Sequence, residues 1–500
     1  MYARLEKLVD QIRSGYWFVP AVMALGALLL AIVLVAIDVK LGDEWLESLP
    51  FFSPSRPQGA RAILTAIGGS MIGVAGTVFS VMMAAVVYAS GQYGPRLLTH
   101  FLSDRGNQFT LGTFTATFTY SMMVLRTIQS AGESGSSQAF VPNLALLVCI
   151  LLALISIGVL IFFIHHVPTR IHISQVIAGI GRALIAAIPN RYPARVGEPG
   201  ADEEDAAIEK QIPECFRDGF EDDGDEPGFA EIEADSTGYV QFLNELTLML
   251  AARSHDLVVR LNIRPGDYIF PGTPAFDVWP AEKVDEQVEA DLLSAIAAGD
   301  RRTPADDMLF LLDELVEIVA RAMSPGVNDP STSNTCLDWM AAVMAELAQR
   351  NMPAAFTLDD EDRLRIIASP LGFADYVRLS FGSARDYVAG DKIAASHFLH
   401  ALGLVARSCT REDRLQALVS EADYLHVLSR EKLSGHSLCE VEDRMKQFSA
   451  MIAHPRRRAP FPALREAAPE AGKKGKSAGK QAESRARSGS ASRTKRQSSS

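Results

Sequence analysis

Charge is missing from four long stretches of this 500-residue chain. No Asp, Glu, Lys or Arg interrupts Trp17–Ile37, Ile63–Tyr88, Phe109–Leu125 or Leu144–Ile164, and a bilayer crossing needs about 20 apolar residues. Cysteine is scarce too. Five cysteines without a CxxC pair exclude a zinc site of the common kind and a disulfide framework. Also absent are HExxH, GxSxG, a dinucleotide fingerprint and a complete phosphate loop; the "GKS" at Gly475–Ser477 lacks the upstream glycine and strand. The usual routes to hydrolysis, phosphoryl transfer and hydride transfer are therefore not signalled, and no catalytic residue, metal or cofactor is expected. The expectation is a protein that is not an enzyme.

What is present is a membrane part followed by a large polar part. The first apolar segment is too long for a signal-peptide core and runs into "DVKLGDEW" rather than a small-residue cleavage site, so it stays as an anchor. The third, "FTLGTFTATFTYSMMVL", is the most polar and reads either as a span or as a re-entrant helix. Four spans are expected. Arg4, Lys7 and Arg13 precede the first, Arg96 and Arg105 separate the second and third, and Arg170, Arg182, Arg191 and Arg195 follow the fourth. Basic residues favour the cytoplasmic side, which places both termini there, at the bacterial inner membrane.

Two of the spans carry patterned small or hydroxyl residues. Gly69, Gly73, Gly76 and Ser80 form a GxxxG-type groove in the second span, suited to close helix packing or to a pore helix. Thr110, Thr113, Thr117 and Ser121 share one stripe of the third, either as interhelical glue or as the lining of a water-filled path. No ionisable residue sits inside a span, which argues against proton-coupled transport.

The division expected along the chain is a cytoplasmic N-terminus (1–14), a four-helix transmembrane domain (15–168), a juxtamembrane amphipathic helix (169–190), an acidic linker (191–228), a small β-rich domain (229–282), a helical domain (283–455) and a disordered basic tail (456–500). Pro168 ends or kinks the last membrane helix. The stripe Ile173, Ile177, Ile180, Leu184, Ile188 lies on the bilayer surface or meets its copy in a neighbouring subunit. Sixteen acidic residues between Glu198 and Asp235 face only Lys210 and Arg217. That density reads as a solvated linker or as a cation-attracting vestibule. The tail carries a net +10, leaving −22 for the rest of a chain whose total is −12. Its expected partner is an anionic lipid surface, with no specific nucleic acid.

In the β-rich part, "DLVVRLNIRPGDYIFPGTPAFDVW" alternates as a strand and then turns at Pro265-Gly266 and again at "FPGTP". The punctuation suggests a small barrel-sandwich domain of the carrier type, without a lysine at a hairpin tip to bear a cofactor. Beyond Asp285 the pattern reads as helix throughout, in an all-α bundle. His397 and His400 stand at i, i+3 but lack a visible third ligand.

Three separated motifs then carry a resemblance. "GTVFSVMMAAVVYASGQYGPRLLTHFLSDRGNQFTLGTFTATFTYSMMVLRTI", "VVRLNIRPGDYIFPGTP" and "RRTPADDMLFLLDELVEIVARAMSPGVNDPSTSNTCLDWM" resemble the bacterial predicted-membrane-protein family called domain of unknown function 2254. The resemblance runs from the first span to about Phe448, outside the acidic linker and basic tail. It implies an integral membrane protein with four spans and a large cytoplasmic part, and it implies no activity. Family members tend to have Thr-Ala after "NDPxx", where this chain has "NDPSTSNT".

That third motif holds the most pointed loop in the sequence. Pro325 and Gly326 stop one helix, Asp329 caps the next, and Pro330 takes its first position. Ser331, Thr332, Ser333 and Asn334 would then stand beside exposed helix N–H groups, an arrangement suited to an anion. With Arg96 and Arg302, residues Asn328, Asp329, Ser331 and Thr332 are the cytoplasmic candidates. The expected function is a homo-oligomeric channel or pore-like protein with a cytoplasmic regulatory domain. The competing expectation is a membrane-anchored sensor or scaffold that binds a ligand or protein.

Overall fold

The computed structural model describes residues 17–41, 56–93, 105–129, 140–192, 208–217, 228–303, 307–353 and 355–453. Arg96, the 1–14 segment, most of the acidic linker and the basic tail lie outside the described residues.

Helices α1 (Phe18–Leu41), α2 (Pro57–Tyr93), α3 (Arg105–Thr127) and α4 (Asn143–Ile171) come first. They alternate in direction. The end of α1 and the start of α4 meet where Asp38 accepts hydrogen bonds from the Leu144 and Ala145 amides at 3.1 and 2.9 Å. The start of α2 meets the end of α3 through Arg61, which donates to the Ile128 carbonyl at 2.9 Å. Pro142, at the N-cap of α4, offers no side-chain cap; the Asp38 carboxylate of another helix takes that role.

Among the described residues, four helices are long and apolar enough to cross a membrane: α1, α2, α4 and α5 (Ile173–Arg191). The third expected span, α3, is not among them on hydropathy, because its threonines dilute it. Its surroundings explain why dilution is tolerated. It packs against α1, α2 and α4, with Thr110, Phe114, Thr117, Tyr120 and Ser121 buried, so few of its polar atoms face outward. By contrast α1 and α4 present Leu25, Leu29, Leu154, Ile157 and Ile161 to the outside, as lipid contact requires.

The chain does not stop at Pro168: α4 runs to Ile171 and breaks at His172, which is extended (φ −63°, ψ 121°). The stripe of α5 meets neither the expected bilayer surface nor a subunit copy. Ile177, Ile180, Leu184 and Ile188 are buried among residues of α8 (Met308–Ala322) and α9 (Pro330–Leu347). Gly181 lies so close to the Trp339 ring that a Cβ there would collide with it. This partner is remote in sequence, which is why periodicity alone did not find it.

Neither sheet of the β-rich part closes into a barrel. One has the order β1-β5-β3-β8-β7 and the other β4-β2-β6, built from β1 (Ala230–Glu233), β2 (Gly238–Leu243), β3 (Val258–Leu261), β4 (Tyr268–Ile269), β5 (Pro274–Trp279), β6 (Ile296–Gly299), β7 (Phe356–Leu358) and β8 (Leu364–Ile367). All pairings are antiparallel except β3 with β8. Helices α6 (Glu245–Ser254) and α7 (Glu286–Leu293) complete a core around Val240, Leu248, Val259 and Phe276. The expected turns are in place, with Gly266 at φ +98° and Gly272 at φ +95°.

The region beyond Asp285 is not helical throughout. Strands β6, β7 and β8 leave it to join the sheets, each too short to show a period of its own. Besides α7, the α-helices there are α8, α9, α10 (Phe373–Val377), α11 (Ser383–Val388), α12 (Lys392–Ser408), α13 (Glu412–Lys432) and α14 (Gly435–Ile452). Part of the acidic linker is also folded. Ile208, Ile212 and Phe216 pack on Val258, Leu364 and Ile367, and the Arg260 guanidinium lies over the adjoining Phe216 and Phe229 rings. The segment is two short 3-10 turns, Glu209–Gln211 and Glu214–Phe216, joined through extended Ile212, and these three apolar residues anchor it inside the acidic run.

Candidate functional site

The three expected glycines of α2, Gly69, Gly73 and Gly76, do not pack on any of the described residues. Its buried stripe is Leu64, Gly68, Met71, Ala75, Val78, Met82 and Val86, and Gly68 is the glycine of close approach: a Cβ there would sit 2.6 Å from Ser121 Oγ. Gly69, Gly73 and Gly76 have open space where a Cβ would be, and Ser80 is exposed beside them. The hydroxyls of this face, on Thr77 and Ser80, bond back to the Gly73 and Gly76 carbonyls. A smooth, small-residue face therefore looks outward from the bundle.

The hydroxyl stripe of α3 behaves in the opposite way. Thr110, Thr113 and Thr117 donate to carbonyls one turn back at 2.8 Å, and Ser121 donates to Phe118. Thr117 also shares a 3.0 Å bond with Ser156 of α4, both buried. Tyr120 donates to the Ala145 carbonyl at 2.9 Å. Of these groups Thr117 and Tyr120 reach α4, while Thr110, Thr113 and Ser121 bond within α3.

The extramembrane part grips α2 and α4 directly. Met71, Val78, Met82, Val86 and Phe163 belong to the same buried cluster as Leu312, Leu315, Leu337 and Met340. Helix α2 is 37 residues long, about 55 Å at ~1.5 Å per residue, against a hydrocarbon core of about 30 Å. Helix α8 packs against α2.

The loop from Ser324 to Asp329 has a structural role at the near end of α8 and α9. Asp329 accepts from the Ser331 and Thr332 amides at 3.1 Å and from Thr332 Oγ1 at 2.6 Å. The reversal uses Asn328, at φ +46°, rather than Gly326. The helix N-terminus is thus occupied by its own carboxylate, which argues against a free anion there. Ser333 Oγ and Asn334 Oδ1 are buried without a hydrogen-bond partner among the described residues.

Arg302 is not near this loop. It pairs with Asp307 at 2.7 Å and Asp313 at 2.6 Å at the other end of α8, a helix of 15 residues, or about 22 Å. Gly266 abuts that Asp307 carboxylate. Burial lowers the Arg302 pKa and the two carboxylates raise it, with a net rise. His397 bonds Asp338 at 2.7 Å, and among the described residues no group of three His, Cys, Asp or Glu could hold a metal ion.

A feature without any local sequence signal lies between the sheets and the helices. A cleft of about 940 Å³ opens between α5, α6, α8, α10 and the β7–β8 hairpin. On its helical side Tyr192 and Tyr376 share a 2.7 Å hydroxyl bond, and burial pushes both phenols above their ordinary range. Arg350 donates to the Tyr192 carbonyl at 3.4 Å. With Gly181 against Trp339, that contact sets α5 and α9 parallel.

Fold and site together define a polytopic membrane protein carrying a mixed sheet-and-helix domain on its membrane helices. The chain belongs to the family described as predicted membrane protein (DUF2254), whose model matches residues 13–403; the match runs through the acidic linker and ends inside α12, short of Phe448. It is also similar to uncharacterized proteins of Mycobacterium bovis and Mycobacterium tuberculosis, each 28% identical over 426 residues, 84% of this chain and 77% of the relative. No solved structure matches the chain.

Proposed function

We propose that this chain forms a homo-oligomeric, channel-like protein of the bacterial inner membrane, with α1 to α4 as its spans and the α2 small-residue face at the subunit junction. The observation that carries the reading is the outward face of Gly69, Gly73, Gly76 and Ser80, which nothing among the described residues of the same chain covers. Lipid gives little reason to keep such a face, whereas helix–helix approach and pore lining both use it. Within the described residues the Thr117 hydroxyl is committed to a carbonyl of α3 and to Ser156 of α4, and four helices are few to surround a hydrated path alone. Conduction therefore needs several copies. The Lys and Arg distribution puts the large domain and both termini in the cytoplasm. There the domain regulates the spans through α5, which follows α4 directly after the break at His172, and through α8, packed on α2. The basic tail, net +10, contacts anionic lipid head groups.

The test is flux. Purified protein in liposomes passes ions under this reading, and Gly73→Leu on the open face changes flux and subunit association together; protein-free rates across several ionic gradients would end the channel reading. A second reading, a membrane-anchored sensor without conduction, is favoured by the cleft between the sheets and the helices.

A further inference from the structure

The cleft is large, lies outside the membrane helices, and its charges are unevenly matched. Most of its carboxylates are already neutralised. Asp307 holds Arg302 and accepts from the Phe310 amide, and Asp267 faces Arg264 at 3.6 Å and accepts from its amide. Arg191, exposed at the rim, has no hydrogen-bond or ion-pair partner among the described residues. Its neighbour Tyr192 and the facing Tyr376 share a single hydroxyl bond. In such a pair one O–H donates and the other hydroxyl's hydrogen is left over. Both rings are buried, at 3% and 4% exposure, so that leftover donor is costly unless it meets an acceptor. Two donors thus sit together on the helical wall. The opposite wall is apolar, with Leu243, Leu246, Met249 and Ile263; Glu245 stands on that wall, exposed, in the first turn of α6, where the helix N-terminus offsets its charge.

We infer that this cleft binds a small organic anion with a flat apolar body, its acid group on Arg191 and the Tyr192–Tyr376 pair and its body against the α6 wall. The volume falls within the range of about 300–1,000 Å³ that small-molecule sites occupy, and the lining has their mix of apolar wall and few polar groups. The site is placed to act at a distance. Its floor is the end of α5, which follows α4 after the break at His172, and the start of α8, which packs on α2. The inference rests on the sensing part of the proposed function and is independent of conduction.

The experiment uses the full-length protein in nanodiscs and 6-fluoro-2-naphthoate as probe, read by fluorine NMR line broadening after subtraction of protein-free discs. Saturable binding is expected, weakened at least about ten-fold by Arg191→Gln. It should also weaken for the neutral carboxamide of the same ring and vanish in Thr357→Trp. Thr357 is an exposed residue of the lining, so its indole fills the cleft without disturbing the core, and an unchanged thermal melt checks this. No saturable binding would overturn the inference. Equal binding of acid and amide, or binding indifferent to both substitutions, would overturn it as well. Ion flux measured on the same preparation separates this result from the channel reading, since binding without flux leaves the site standing.

Discussion

Asp329 and Thr117 were both candidates for function, and both turn out to have full local occupation. Asp329 caps α9 with three hydrogen bonds; Asp329→Ala is expected to cost about 1 kcal/mol of stability, as cap losses do, read by thermal melting. A much larger loss, or altered flux at unchanged stability, would restore a functional role for the loop. Thr117→Val removes the bond to Ser156 while keeping the shape. It should cost about 0.5–1.5 kcal/mol and leave ion selectivity alone. The cap was legible in the sequence because Asp-Pro after a helix stop is a local signal. The left-handed Asn328 was not, because Gly326 is the better candidate for that conformation by type and only the three-dimensional path of the turn decides between them.

At the scale of elements, membrane helices were legible by their lack of charge, whereas the direction each face points was not. In water, a buried face announces itself by apolarity; in lipid, both faces of α2 are apolar or small and the contrast disappears. Hence the sequence singles out the glycine stripe yet leaves open whether it faces α3 or the outside. Gly68, one residue before Gly69, is the one that faces Ser121. The same limit applies to α5, where the stripe was evident but its partners α8 and α9 are far along the chain. Gly181→Val should push Trp339 aside and loosen α5 from α9, giving faster proteolysis near the end of α5 while α1 to α4 stay intact. The short strands β6, β7 and β8 had no period to read, yet β8 holds the wider sheet together through Arg365, which pairs with Asp359 at 2.8 Å and Asp256 at 2.9 Å. Hydrogen bonds from Lys283 and then Arg365 hold the Asp256 carboxyl down at about 2, and Arg365 does the same for Asp359. A lowered carboxyl stabilises the fold above its ordinary value of 3.8 and stops doing so as pH falls toward about 2. Unfolding of the sheets in that acid window, flattened in Arg365→Met, checks the network.

For the whole molecule, the connection between membrane and extramembrane parts is a shared core rather than a tether. Residues of α2 and α4 sit in one cluster with those of α8 and α9, so the membrane helices and these two helices share packing. Class and family were legible in the sequence through its charge gaps and three motifs. The cleft was not, because it is assembled from elements scattered between Arg191 and Tyr376, and none of them carries a local signature. The central claim is that the open face of α2 meets other copies and controls permeation. The direct measurement is ion flux in proteoliposomes, made together with cysteine cross-linking at Gly73 in protein stripped of its native cysteines. Flux with cross-linked oligomers in Gly73→Cys, and altered flux in Gly73→Leu but not in Thr117→Val, is the predicted result. A monomeric, non-conducting protein whose Gly73→Cys variant never cross-links would contradict it.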